Sequence, residues 1–133
     1  MKVIYVFLLS VLILSCEKDN VITTENSISK NDILGSWRVT YLEHADVSEL
    51  STYEFEFTPN NVLLITKEGV NTYGSWEIMQ DSKSLKILIP QKDYPLRTMH
   101  SLWNVKSASS TGLELSEKES DHGYLEKSEL TRL

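Results

Sequence analysis

From residue 33 to the carboxyl end, polar and large apolar residues alternate with a period of two. Ser36-Trp37-Arg38-Val39-Thr40-Tyr41 reads this way. So does Tyr53-Glu54-Phe55-Glu56-Phe57, with acids on one face and rings on the other. Asn60-Asn61 marks a turn before the apolar stretch 62–66, and Lys67-Glu68-Gly69 marks the next. Tyr73-Gly74-Ser75-Trp76-Glu77-Ile78 alternates again, turns at 81–83, and returns as Leu85-Lys86-Ile87-Leu88-Ile89. Further strands are expected at 102–105, 113–115 and 129–133, with a polar turn at 107–112 between the first two. Residues 91–101 read as an edge segment or a loop, because Pro90 and Pro95 interrupt them. The only helix the pattern supports is a turn around residues 29–34, with Asn31 or Asp32 as its cap.

Alternation decides which side chains meet. Arg38, Glu54, Glu56, Glu77, Lys86, Glu114 and Glu129 must face water. That sends Trp37, Val39, Tyr41, Phe55, Phe57, Trp76 and Ile78 to the opposite face. Leu85, Ile87, Ile89, Trp103, Val105, Leu113, Leu115 and Leu130 join them there. A sheet with one apolar face and no helix to cover it must close on itself, which also removes its edges. The expectation is an all-β fold: an antiparallel up-and-down β-barrel of about seven or eight strands, with a short helical turn before the first.

The amino end is different. Lys2 precedes an apolar run over residues 3–14, broken only by Tyr5 and Ser10. A membrane span needs about 20 apolar residues, so this run has the length of a secretory signal core. Ile13-Leu14-Ser15-Cys16 follows directly and resembles the lipobox of bacterial lipoproteins. The resemblance implies cleavage before Cys16, lipidation of its sulfur and attachment to a membrane. Several acyl chains at about 0.8 kcal/mol per buried methylene hold a protein stably, where one chain is marginal. Glu17, rather than Asp, follows the Cys, so delivery to the outer membrane is the expectation, facing the periplasm or the surface. The polar stretch from Glu17 onward reads as a flexible tether. The domain plan is therefore a lipoprotein signal peptide at 1–15, a lipidated Cys and tether at 16–31, and a barrel at 32–133.

The barrel residues also carry a resemblance. Leu34-Gly35-Ser36-Trp37 resembles the G-x-W of lipocalins and their calycin-like relatives. The hairpin from Tyr73 to Ile87 and the later pair around Trp103-Asn104-Val105 and Gly112-Leu113-Glu114-Leu115 are similar to those of small lipocalin-like domains in Bacteroidota-type lipoproteins. The chain departs from that pattern in lacking a T-D-Y element, a long carboxy-terminal helix and a disulfide. The resemblance implies structural roles at one barrel end for Gly35, Trp37 and Arg132. Arg132 would then lie over the Trp37 ring; otherwise it is a solvated terminal charge.

Composition narrows the function. The formal charge is −6, and removing the leader takes away one base and no acid. Such a domain is a poor partner for nucleic acid, whose phosphates need Lys and Arg. A single Cys allows no internal disulfide and no thiolate zinc cluster. There is no G-x-S-x-G, H-E-x-x-H or P-loop, so neither a catalytic set nor a metal or cofactor site is expected. His44 with Asp46, and Asp121 with His122, fall in loops. The run 117–121 reads as a solvated hairpin end. Three functions stay open, an enzyme ranking last for want of a catalytic set. Tyr41, Phe55, Phe57, Trp76 and Trp103 could line a pocket for a small hydrophobic ligand. Alternatively they fill a solid core, and the anchored barrel meets a protein partner through its loops as an inhibitor or accessory subunit.

Overall fold

Each alternating stretch folds as a strand, because extended backbone sends successive side chains to opposite faces. The computed structural model describes residues 22–23, 27–90, 93–120 and 123–133. The leader, Cys16 and the Asp121–His122 pair lie outside the described residues. The elements are β1 (Ile22–Thr23), α1 (Lys30–Ile33), β2 (Gly35–Leu42), β3 (Glu54–Phe57), β4 (Val62–Lys67), β5 (Val70–Ile78), β6 (Ser84–Leu88), β7 (Ser101–Ala108), β8 (Gly112–Glu117) and β9 (Lys127–Arg132). Short 3-10 turns occupy Leu50–Thr52 and Leu96–Met99.

From β2 to β9 each strand pairs antiparallel with the next in chain order. The ring closes where β9 returns to β2, with Trp37 opposite Arg132 and Val39 opposite Leu130. The result is a closed eight-stranded up-and-down barrel of lipocalin-like form. The two-residue turn Glu68-Gly69 joins β4 to β5 with positive φ at both positions (50° and 78°). A primed turn of this kind matches the twist of its strands, and glycine adopts the second position freely.

The inner face holds the rings. Trp37, Trp76, Trp103, Phe55 and Phe57 are all fully buried, surrounded by Leu63, Ile65, Leu85, Ile87, Val105, Leu113, Leu115 and Leu130. Tyr41 is a correction: it is 44% exposed on the outer wall. The β2–β9 register shifts between Val39 and Tyr41, so Leu42 takes the inward position that strict alternation assigns to Tyr41. Ile78 is only partly buried, at the end of β5.

The amino-terminal boundary also moves. Residues expected in a flexible tether belong to the folded unit: β1 pairs with the end of β7, Ile22 opposite Ala108. Ile28 is buried, and its N–H donates to the Ser82 carbonyl (2.8 Å). The helix cap is Ser29, not Asn31 or Asp32. Asp32 instead serves as the cap's partner, its Oδ2 accepting from the Ser29 N–H (2.7 Å) and hydroxyl (3.0 Å).

Up-and-down order gives the barrel two distinct ends. One, the lower, carries α1, the β3–β4, β5–β6 and β7–β8 turns, and both termini of the barrel. The other, the upper, carries the β2–β3, β4–β5, β6–β7 and β8–β9 connections. Leu50 from the first of these and Leu96 and Met99 from the third are buried across the upper opening.

Candidate functional site

Four of the rings assigned to a pocket sit together inside the barrel, and their packing is specific. Phe57 meets Trp76 edge to face, with centroids 5.4 Å apart and planes at 81°. Trp76 Nε1 donates to the Thr58 carbonyl (3.1 Å), and Trp103 Nε1 to the Met99 carbonyl (3.1 Å). Phe55 lies between Trp37 of β2 and Ile65 of β4 in the pairing register. Each indole is thus locked by a bond to main chain as well as by its neighbours. Two hollows open on the barrel's outside, the second of them bordered by Trp76 of this cluster. One of about 300 Å³ is on the outer wall of β2, β8 and β9, among Thr40, Glu114, Glu129 and Thr131. Another of about 190 Å³ opens beside Ser75, Lys86 and Leu88.

The lower end is closed by a clamp. The Arg132 guanidinium lies 4.1 Å from the centroid of the Trp37 ring. Its Nη1 donates to the Leu34 carbonyl (2.5 Å) and Nη2 to the Asp32 carbonyl (3.2 Å). Trp37 Nε1 donates to the Ile33 carbonyl (2.7 Å). Gly35 has φ +115°, and a Cβ there would meet Arg132 Nη1 at 2.7 Å. The glycine is therefore required twice, by its backbone angle and by the guanidinium above it. Lys30 extends the closure: its Nζ donates to Asn61 Oδ1 and stands 5.8 Å from the Trp76 ring centroid.

The upper rim holds groups that the sequence reading missed. Glu117, placed there in a solvated hairpin end, is 7% exposed, and Glu126 is 4% exposed. The parity signal was present. Residues 113, 115 and 117 share a face, as do 126, 128 and 130, and the leucines among them point inward. Buried carboxylates need donors. Glu126 Oε1 accepts from the N–H groups of Glu43 (2.6 Å), His44 (2.9 Å) and Lys127 (3.2 Å). Glu117 accepts from the Ser101 hydroxyl (2.8 Å) and the Glu126 N–H (3.2 Å). The two acids thereby tie the ends of β2, β7, β8 and β9 together.

The described histidines have separate surroundings. His100 Nδ1 accepts from the Ile89 N–H (2.8 Å), which fixes the β6–β7 connection. The His44 ring leans on Tyr124, with centroids 4.5 Å apart and planes at 50°, and is exposed. Asp46 is engaged with the Ser48 N–H (2.8 Å), which lowers its pKa. No group of three or more metal-ligating side chains is found among the described residues.

No protein-family model, curated protein or solved structure matches this chain. The class therefore rests on architecture: a lipocalin-like barrel whose inner face carries buried aromatic rings.

Proposed function

We propose that this protein is a lipoprotein of the cell envelope, held at the outer membrane by acyl chains on Cys16, whose barrel acts through its surface on a protein partner. The observation that supports this reading is the state of the rings. Phe55, Phe57, Trp76 and Trp103 are 0–1% exposed, and both of these indole N–H groups are bonded to carbonyls. A hydrophobic ligand would have to displace them and leave those carbonyls without donors, at about 1–3 kcal/mol each. A carrier reading needs interior space that these side chains fill.

The layout agrees with a tethered module. β1 and Ile28 leave the barrel at its lower end, so an anchor at Cys16 leaves the upper connections on the far side from the membrane. The net negative charge suits a basic partner surface and favours encounter with it.

Tryptophan emission tests the filled barrel. Titration of the folded protein with oleate or a hydrophobic dye is expected to leave the spectrum unchanged. A saturable shift would overturn this reading in favour of an interior site. Anchoring is tested separately: Cys16→Ala is expected to move the protein out of the membrane fraction and to abolish the mass added by lipidation.

A further inference from the structure

The hollow at the upper rim, about 140 Å³ in volume, differs in kind from those on the outer wall. Three separate connections build it. Tyr94, Arg97 and Thr98 come from the β6–β7 segment, Ala45 from the β2–β3 segment, and Glu117, Tyr124 and Glu126 from the β8–β9 hairpin. Its volume is comparable to a cavity that accepts a benzene-sized guest.

Charge and bonding in this hollow are unbalanced. Glu117 and Glu126 contribute two carboxylates that are more than nine-tenths buried. No Lys, Arg or His lies within ion-pair distance of either among the described residues: Lys127 pairs with Glu43, and Lys118 with Asp81. Glu126 directs Oε1 to three main-chain donors, while its Oε2 has no hydrogen-bonding partner among the described residues. Oε2 is also not sealed from solvent-sized probes, since the one fully enclosed, unpartnered side-chain atom in the described residues is Arg132 Nε. An acceptor on a buried acid therefore borders a hollow with no described donor bonded to it. Among the described lining residues Arg97 is the one cation, and it is exposed. Water screens its charge far more than it screens the buried acids. Two phenol rings, Tyr94 and Tyr124, stand in the same wall, the Tyr124 ring with His44 against it at 4.5 Å; aromatic walls of this kind suit a cationic guest.

We infer that this rim hollow binds an alkylammonium group, with Glu126 Oε2 as its acceptor, Glu117 as the supporting charge and the tyrosines as its walls. A guest of this size is an aminobutyl chain. Such a group is carried both by free small amines and by the lysine side chains of proteins. The inference deepens the interaction reading above and rests on it: a lysine of the partner, inserted at the end of the barrel far from the anchor, would be the recognised feature.

The test is an amide chemical-shift titration of the full mature chain with n-butylammonium chloride, butanol and butyrate as matched probes. Butylammonium is expected to shift the Ala45, Thr98 and Glu117 amides saturably in the millimolar range, while butanol and butyrate do not. Glu126→Gln keeps an acceptor for the main-chain donors but removes the charge, and is expected to weaken binding about tenfold. If that variant does not fold, Glu117→Gln carries the same expectation. Arg97→Ala, on an exposed turn, is expected to tighten binding. Equal shifts with butanol, no saturable shift at the rim, or undiminished affinity in a folded Glu126→Gln protein would overturn the inference. A second arm uses Nα-acetyl-lysine N-methylamide. Tighter binding than butylammonium assigns the site to a protein lysine, and weaker binding assigns it to a free amine. Failure here with tryptophan emission still insensitive to oleate leaves the filled-barrel reading standing, so the two can fail separately.

Discussion

The clamp of Gly35, Trp37 and Arg132 makes a quantitative claim about coupling. Arg132→Ala removes a cation–π contact at 4.1 Å and two bonds from a guanidinium to carbonyls. The ring contact is worth about 1–2 kcal/mol in a partly desolvated site. Each charged hydrogen bond adds about 1.5 kcal/mol, offset in part by relief of the buried Nε that lacks a partner. The net loss should be about 2–3 kcal/mol. Gly35→Ala places a methyl carbon 2.7 Å from Arg132 Nη1, well inside the roughly 3.5 Å at which such atoms rest. The end of a free arginine would swing aside, but this one is held by Leu34, Asp32 and the indole face. The substitution therefore costs about 1–2 kcal/mol for backbone strain at φ +115°, plus much of the clamp's own contribution. With Arg132 already removed, only the backbone part remains. Urea unfolding of the two single variants and the double variant should show a coupling of about 1–2 kcal/mol, the double being less damaged than the sum. Additivity within about 0.5 kcal/mol would refute the geometry, because it would mean the two positions do not touch.

Other expectations follow from individual contacts. The β2 bulge predicts that Tyr41→Ser changes stability by no more than about 0.5 kcal/mol while Leu42→Ala costs about 2–3 kcal/mol, and chemical denaturation showing the reverse order would remove the bulge. Trp103→Phe retains a ring but leaves the Met99 carbonyl without its donor, and should lower stability by about 1–3 kcal/mol in thermal unfolding. Asp81 accepts from the Lys83 N–H and from the Ser84 N–H and hydroxyl, with Lys118 at 3.6 Å, and its pKa falls from 3.8 to about 2. Because the folded value lies below the unfolded one, its contribution is present above pH 3.8 and is lost as the pH falls toward 2. Carboxyl carbon NMR should place its midpoint near 2, and Asp81→Asn should flatten the acid limb of the stability curve; an ordinary midpoint would refute the assignment.

The alternation of rings and charges was enough to derive the all-β class, a count of about seven or eight strands, their antiparallel order and most of the inner face. Period two fixes the side of every residue in an unbroken strand, and an uncovered apolar face leaves closure as its only resolution. The same rule, followed through Leu115 to Glu117 and back from Leu130 to Glu126, places both acids inside. Reading Glu117 as solvated let the charge of the residue outweigh its position. Other features had no local signal. A bulge inserts one residue without marking the sequence, so the exchange of Tyr41 for Leu42 was decided by pairing with β9. Leu50, Leu96 and Met99 belong to irregular segments, and only the closed ring supplies an opening for them to fill. Arg132 is ninety-seven positions from Gly35 in the chain and becomes its neighbour because β9 pairs with β2. Short-range pattern determined the strand and its faces. The barrel decided which distant charges, rings and carbonyls share one space, because closure brings β9 back beside β2.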